Sequence, residues 1–289
     1  MLNALISIVF DGLAYAMILF VISVGLSVTM GLMGFVNLAH GVFAMLGGYL
    51  LVTLMQHGGL GFIPALLLAA VLIALFSLLF ERFLYAPLYR ASELDQVLLS
   101  IGLVLMATAA MTYLFGPSPV AVQVPDYLSG QWTLGGRVFP VYRVLMIAFG
   151  FVLALVLWLA LERTLLGARI RAAVDNRRMA EAVGINVDRL FQLTFALGSG
   201  LAALGGGLAV EILGLSPTFA SQYLVLFLIV VAVGGMGTIK GSFLAALLLG
   251  VIDNGGKYLW PEGGAFFIYL VTVAVLLFKP GGLFGARAA

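Results

Sequence analysis

The chain has 289 residues, of which 63% are hydrophobic and 9% are charged, and its formal net charge is +2. A soluble globular protein carries about 25% charged residues, so this composition excludes a water-soluble domain and indicates an integral membrane protein. The small net charge argues against a nucleic-acid partner, and the absence of cysteine excludes disulfides, thiol catalysis and cysteine-ligated metals.

Apolar stretches long enough to cross a bilayer follow one another along the whole chain. A spanning helix needs about 20 mainly apolar residues, and its backbone polar groups must bond internally. The first stretch is too long for a signal-peptide core and has no Lys or Arg ahead of it, so we interpret it as a retained span. The predicted spans are 4–30, 36–55, 61–80, 97–115, 141–161, 190–212, 222–238, 241–256 and 264–279. Because 222–238 and 241–256 are short and hinged at glycines, the count is about eight to ten.

The sequence therefore predicts an all-α fold, a single polytopic transmembrane bundle over residues 1–289 with short or broken helices. The connection 116–140 is rich in Pro, Gly and β-formers, which predicts a small cap of extended pieces. Arginine is densest in 162–189, which holds Arg163, Arg169, Arg171, Arg177, Arg178 and Arg189. Basic loops stay in the cytoplasm, so 162–189 and 81–95 are predicted to lie inside with the C-terminal tail, and 116–140 outside with the N-terminus.

Within the basic loop, residues 168–183 have the pattern of one amphipathic helix bounded by Gly167 and Gly184. Ile170, Val174 and Met179 are predicted to share its apolar face. Such a helix either lies on lipid headgroups or docks into a soluble cytoplasmic partner. The charges are of both signs, whereas binding to anionic lipid favours a purely basic face, and this favours docking.

The glycine-rich runs 198–207 and 234–241 do not have the spacing of a nucleotide-binding loop. They predict close packing between helices, with a helix break at 234–238 as the alternative. Asp11, Glu211 and Asp253 are too dispersed to form a catalytic or metal site. Polar residues inside spans mark a pathway or a helix contact, so the chain is predicted not to be an enzyme.

The run 25–50, GLSVTMGLMGFVNLAHGVFAMLGGYL, resembles the N-terminal signature of LivH-type permeases of branched-chain amino acid ABC importers. The matching positions are Gly25, Leu26, Gly31, Gly34, Asn37, Ala39, His40, Gly41, Met45, Gly47 and Tyr49. The resemblance continues through 81–103, 163–208 and 230–254. Gly48 stands where the family often has alanine, and Ala86 where it usually has a basic residue.

The resemblance implies a permease subunit in a bacterial inner membrane. It would pair with a LivM-like second permease, and two ABC ATPases of the LivG and LivF type would dock on the helix at 167–187. A periplasmic substrate-binding protein would deliver the cargo. ATP and Mg²⁺ would bind the ATPases, so no cofactor is expected on this chain.

The resemblance, together with the polar residues inside spans and the charges of the amphipathic loop, predicts two sets of site residues. The candidates for the substrate path are Asn37, His40, Gly41, Gly47, Gly48, Asp253 and Asn254. The candidates for contact with the ATPases are Gly167, Arg169, Arg171, Asp175, Arg177, Arg178, Glu181 and Gly184. Asn37 and His40 either stabilise an irregular, glycine-rich backbone or contact substrate.

The implied mechanism is alternating access, powered by ATP hydrolysis in the partner subunits. Branched-chain amino acids are the cargo that the resemblance suggests, with urea, short amides and aromatic acids as alternatives. An ion-coupled secondary transporter and a structural or signalling membrane subunit are the alternatives from other classes.

Overall fold

The computed structural model describes residues 2–33, 37–120, 122, 124–134 and 137–285. Residue 36 of the second predicted span and the last four residues of the tail lie outside the described residues. The helices are α1 (Leu2–Met33), α2 (His40–Gln56), α3 (Phe62–Phe80), α4 (Glu93–Phe115), α5 (Asp126–Ser129), α6 (Val141–Arg163), α7 (Leu165–Asp175), α8 (Arg177–Ala182), α9 (Val187–Leu213), α10 (Phe219–Gly234), α11 (Ile239–Leu259) and α12 (Phe266–Phe278).

The all-α fold predicted from the sequence is confirmed. Among the described residues, five helical segments have the length and composition to cross a membrane: Ala4–Gly31, Phe62–Tyr89, Glu93–Phe115, Val141–Arg163 and Val187–Leu213. Three shorter helices are also apolar: His40–Gln56, Phe219–Gly234 and Phe266–Phe278. Each predicted span corresponds to one helix, because apolar segments in lipid must satisfy their backbone groups within the helix.

The connection 116–140, predicted to lie outside, carries the only strands in the described part of the chain. β1 (Gln131–Leu134) and β2 (Arg137–Pro140) pair antiparallel, with Trp132 opposite Phe139, and the short helix α5 precedes them. The extended pieces expected here are therefore present as one small hairpin above α6.

Helix α9 lies at the centre of the bundle. It packs against α1, α2 and α3, and α1 packs in addition against α11. Glycines permit this close approach: a Cβ atom on Gly206 of α9 would overlap the carbonyl oxygen of Ala44 in α2, and one on Gly198 would lie 2.9 Å from the carbonyl oxygen of Gly25 in α1. The glycine-rich run 198–207 thus packs helix against helix, as predicted.

Contacts between loops show which connections lie at the same end of the helical bundle. At one end Tyr85, after α3, contacts Asn37, before α2, and Lys240 of α11 lies 3.9 Å from Glu162 at the end of α6. At the other end Phe10 near the start of α1 packs on Phe139 of β2. This is the pairing of loops that the arginine pattern predicts, and the arginine-rich end is assigned to the cytoplasm by that pattern.

Candidate functional site

The signature segment, residues 37–48, begins with a buried asparagine. Asn37 is 2% exposed, and its Oδ1 accepts hydrogen bonds from the backbone N–H of Ala39 at 3.0 Å and from the hydroxyl of Tyr85 at 2.8 Å. A side chain that bonds to the backbone two residues ahead forms an Asx turn. This turn leads the chain into α2 at His40.

His40, the first residue of α2, is 1% exposed. Its Nε2 lies 2.9 Å from the carbonyl oxygen of Ile22 in α1, so the ring donates its proton there. Asn37 and His40 thus make intramolecular contacts, as expected if they stabilise the irregular backbone before α2. Contact with substrate stays a prediction.

The three glycines of the signature segment face neighbouring helices. A Cβ on Gly41 would lie 2.9 Å from the carbonyl oxygen of Ala220 in α10, and one on Gly47 would lie 2.5 Å from that of Ala203 in α9. A Cβ on Gly48 would lie 2.9 Å from Leu215 Cδ1. Glycine at positions 41 and 47 therefore lets α2 approach the backbones of α10 and α9 closely, whereas the contact at Gly48 is with the end of a side chain in the loop after α9.

The other two path candidates lie on α11 and are not brought together with Asn37 and His40. Asp253 is 5% exposed and accepts a 2.6 Å hydrogen bond from Lys257 Nζ, which in turn lies 5.7 Å from the ring centroid of Tyr15. Asn254 Nδ2 donates to the carbonyl oxygen of Ile8 at 2.8 Å. This group faces the N-terminal half of α1, whereas His40 contacts its C-terminal half.

One charged pair of the membrane region was missed by the sequence analysis. Arg143 near the start of α6 forms an ion pair with Asp11 of α1, and the two side chains are 35% and 36% exposed. Asp11 was noted as a polar residue inside a span, but its partner lies 132 positions away in the sequence. An aspartate within a span does indicate that a cation is needed nearby, and Arg143 was an available candidate.

Breaking this pair from one side is expected to cost more stability than removing it from both. Arg143→Met leaves an unpaired carboxylate at the edge of the apolar region, so the midpoint of thermal unfolding in detergent should fall. The double variant Asp11→Asn/Arg143→Met should recover most of the loss, and a double-mutant cycle gives the coupling. Equal losses in the single and double variants would contradict a direct interaction.

The predicted docking helix is two helices. α7 ends at Asp175 and α8 begins at Arg177, because the Asn176 side chain accepts a hydrogen bond from Met179 N at 3.0 Å and so starts a new helix. The predicted apolar face is correct for Ile170, which is buried, but wrong for Val174 and Met179, which are 48% and 61% exposed. The break changes the direction of the chain, so a single helical periodicity no longer holds across it.

The buried side of α7 and α8 holds these docking helices against the bundle through small and apolar residues. These are Gly167, Ile170, Ala173 and Ala180. A Cβ on Gly167 would overlap the backbone of Leu161 in α6. Gly184 has φ +85°, a left-handed conformation that suits glycine, and it ends the turn after α8.

The charged candidates on the docking helices fall into two groups. Arg177 forms ion pairs with Glu181 at 2.9 Å and with Asp188 at 3.1 Å, and Arg171 donates to the carbonyl oxygen of Leu161. A further three charged side chains are exposed and make no ion pair with a described residue: Arg169, Asp175 and Arg178. The second group leaves its charge free for another molecule.

The pattern of long apolar helices agrees with the comparison to known proteins. Residues 8–276 match the family described as "Branched-chain amino acid transport system / permease component". The chain belongs to this family. It is a multi-pass membrane protein of the permease type, not a catalytic enzyme.

Named relatives align with almost the full length of this permease. It is 27% identical to the high-affinity branched-chain amino acid transport system permease protein BraD of Pseudomonas aeruginosa, over 95% of this chain and 94% of BraD. It is also 27% identical to the corresponding LivH of Salmonella typhimurium, over 96% of this chain and 94% of LivH. A probable LivH of Methanocaldococcus jannaschii is 23% identical over 94% of this chain and 90% of that protein. No solved structure matches the permease.

Proposed function

We propose that this permease is one membrane subunit of an ATP-binding-cassette importer that moves branched-chain or related amino acids into the cytoplasm of a bacterium across its inner membrane. The observation that carries the proposal is the pair of docking helices, whose free charges lie at the arginine-rich end of the bundle. They offer a surface for soluble ATPase subunits, which would bind the ATP and Mg²⁺. A LivM-like permease and a periplasmic substrate-binding protein complete the proposed assembly.

The attachment of the docking helices explains how force from an ATPase would enter the membrane. Arg171 bonds to the end of α6, and Arg177 bonds to Asp188 at the start of α9. Movement of α7 and α8 therefore acts directly on both helices. Because α9 packs on α1, α2 and α3, its displacement changes the central packing, as alternating access requires.

The proposed substrate path follows the signature segment at the start of α2. It also includes Asp253 and Asn254 of α11, which lie beside the N-terminal half of α1. The family relatives supply the proposed cargo, since BraD and LivH are named for branched-chain amino acids. A shorter match, the fructose import permease of Rhizobium meliloti, is 28% identical over 45% of this chain and is named for a different cargo. Selectivity is assigned mainly to the binding protein.

A second candidate function is ion-coupled secondary transport. One observation favours it: Asp253 is a buried carboxylate near the C-terminal end of α11, paired with Lys257 in the last turn of that helix, and paired carboxylates occur in the ion pathways of transporters. In that case the docking helices would bind no motor, and transport would depend on an ion gradient.

The deciding experiment is gentle detergent purification of the permease from its native membrane, mass spectrometry of the copurified chains, and reconstitution of the complex in liposomes. We expect a second permease, two P-loop ATPases and uptake of labelled leucine that requires ATP and the binding protein. Liposomes carrying an ion gradient without ATP are the control. Uptake driven by that gradient by the isolated chain would contradict the importer.

A further inference from the structure

A continuous series of side-chain contacts leads inward from the docking helices. Arg177, the first residue of α8, places its guanidinium 5.0 Å from the ring centroid of Phe191 in α9. The Phe191 ring meets the Tyr89 ring edge-on at 5.5 Å between centroids. The Tyr89 hydroxyl donates a 2.6 Å hydrogen bond to Glu81 Oε1. These contacts join an exposed docking residue to a carboxyl group inside the bundle.

Glu81 is an unusual residue to bury at this position. It is 1% exposed, and burying an ionisable group costs several kcal/mol unless it is well paired. Its second oxygen, Oε2, makes no hydrogen bond of normal geometry with a described residue, and Gln192 of α9 faces the same carboxyl group. The contacts that the group does make are therefore few and directional, so a small displacement of α9 or Tyr89 changes them.

The backbone around Glu81 orients this series toward the signature segment. Glu81–Tyr85 form one π-helical turn after α3, and its buried residues are Glu81 and Tyr85. Such turns are rare and are frequently found at functional sites. Tyr85 donates its 2.8 Å hydrogen bond to Asn37, and its ring lies 5.0 Å from that of Phe195 in α9. The same π-helical turn thus carries Glu81, which accepts the hydrogen bond from Tyr89, and Tyr85, which donates one to Asn37.

We propose that these residues act as a coupling chain, which transmits movement of the docking helices to the N-terminal end of α2. The coupling chain consists of Arg177, Phe191, Tyr89, Glu81, Tyr85 and Asn37. The proposal rests on the proposed function, because only a bound motor would move the docking helices. Glu81, Tyr85, Tyr89 and Phe191 are positioning residues that need no contact with cargo or with ATP.

The start of α2 is where such movement would have the greatest effect on the path. Asn37 fixes the turn before α2, and His40 ties its first residue to Ile22 of α1. If Tyr85 shifts, the turn at Asn37 must shift or lose its hydrogen bond, and α2 then moves against α1 and α10. Packed interfaces respond to such shifts by switching between discrete arrangements.

A role in coupling differs measurably from a role in holding the loop between α3 and α4. Tyr89→Phe removes the hydroxyl bonded to Glu81 and keeps the ring that packs on Phe191. In liposomes containing the full complex, we expect the number of ATP molecules hydrolysed per leucine imported to rise about three- to tenfold. The control is Tyr142→Phe, which removes a hydroxyl that is more deeply buried than that of Tyr89 and that donates to Leu208 O at 2.7 Å at the other end of the bundle. It should leave the ratio unchanged.

A second pair of variants tests the aromatic part of the coupling chain. Phe191→Leu removes the ring between Arg177 and Tyr89, whereas Phe243→Leu removes a ring that makes edge contacts with Phe20 and Phe151 away from the chain. Phe191→Leu is expected to raise the ATP-to-leucine ratio, and Phe243→Leu is expected to leave it unchanged. Glu81→Gln, whose amide oxygen can still accept from Tyr89, should disturb the ratio less than Glu81→Leu.

The results separate this proposal from the proposed function. A wild-type complex that imports without ATP contradicts the importer itself. If the wild-type complex requires ATP for import, but Tyr89→Phe and Phe191→Leu have the same ATP-to-leucine ratio as their control variants, the coupling chain alone is contradicted. If both variants fail to assemble while both controls assemble, the residues hold the fold and the coupling chain is also overturned.

Discussion

Gly206→Ala is expected to prevent the permease from folding into a stable bundle. The added Cβ would overlap the carbonyl oxygen of Ala44, and a backbone atom cannot rotate away as a side chain can. The same face of α2 is held close to α9 at Gly47, so the two helices would have to separate along their contact. Overpacking typically costs about 1–3 kcal/mol and occasionally more, and a clash with backbone belongs to the upper part of that range. The measurement is the yield and the thermal midpoint of monodisperse protein in detergent.

The matched control is Gly102→Ala in the interior of α4, where a Cβ would have no heavy atom within 4 Å. The chemical change is the same, and alanine favours a helix over glycine by up to about 1 kcal/mol. This variant should melt at or above the wild-type temperature. A similar loss in both variants would assign the effect to helix interiors in general, and a wild-type midpoint for Gly206→Ala would show that α2 and α9 are not in backbone contact.

The features that could be predicted from the sequence are those that the bilayer imposes on every segment separately. Span length and internal hydrogen bonding act locally, so the helices followed from residue type alone. The side of the membrane on which each loop lies stays a prediction from the arginine pattern. The glycine-rich run 198–207 likewise indicated close packing, because a missing side chain has few other uses inside a span.

Features that depend on distant partners could not be predicted in this way. Tyr85 meets Asn37 across 48 positions, and Asn254 meets Ile8 across 246, so no local pattern identifies either pair. The break between α7 and α8 is a different case. Asn176 is a favourable residue for starting a helix, and this signal was present in the sequence but was masked by the apparent periodicity of 168–183.

The structure also decides which arginines can test docking. Reversing Arg177 would break its ion pairs with Glu181 and Asp188, and reversing Arg171 would remove its bond to the end of α6. A loss of transport in either variant would therefore mix damage to this chain with damage to an interface. Arg169 and Arg178 are exposed and form no ion pair with a described residue, so a change there breaks no ion pair within the described part of this chain.

Arg169→Glu/Arg178→Glu is expected to lower ATP-driven leucine uptake by more than about tenfold while the permease still folds. Removing one side of a charge pair that is buried and hydrogen-bonded in an interface costs about 2–5 kcal/mol, and reversal adds repulsion. Copurification of the ATPases should fall in parallel, and the thermal midpoint of the isolated chain should stay near wild type.

The control reverses two charges on the same side of the membrane but away from the docking helices. Arg82 and Lys279 are exposed, and Arg82→Glu/Lys279→Glu changes the net charge by the same amount. Its uptake should remain within about twofold of wild type, since a general change in surface potential is screened over a distance of about 8–10 Å in salt. Normal uptake and copurification in the Arg169/Arg178 variant would move the docking surface away from α7 and α8. An equal defect in both double variants would instead point to long-range electrostatics, because a contact surface discriminates between positions whereas a diffuse field does not.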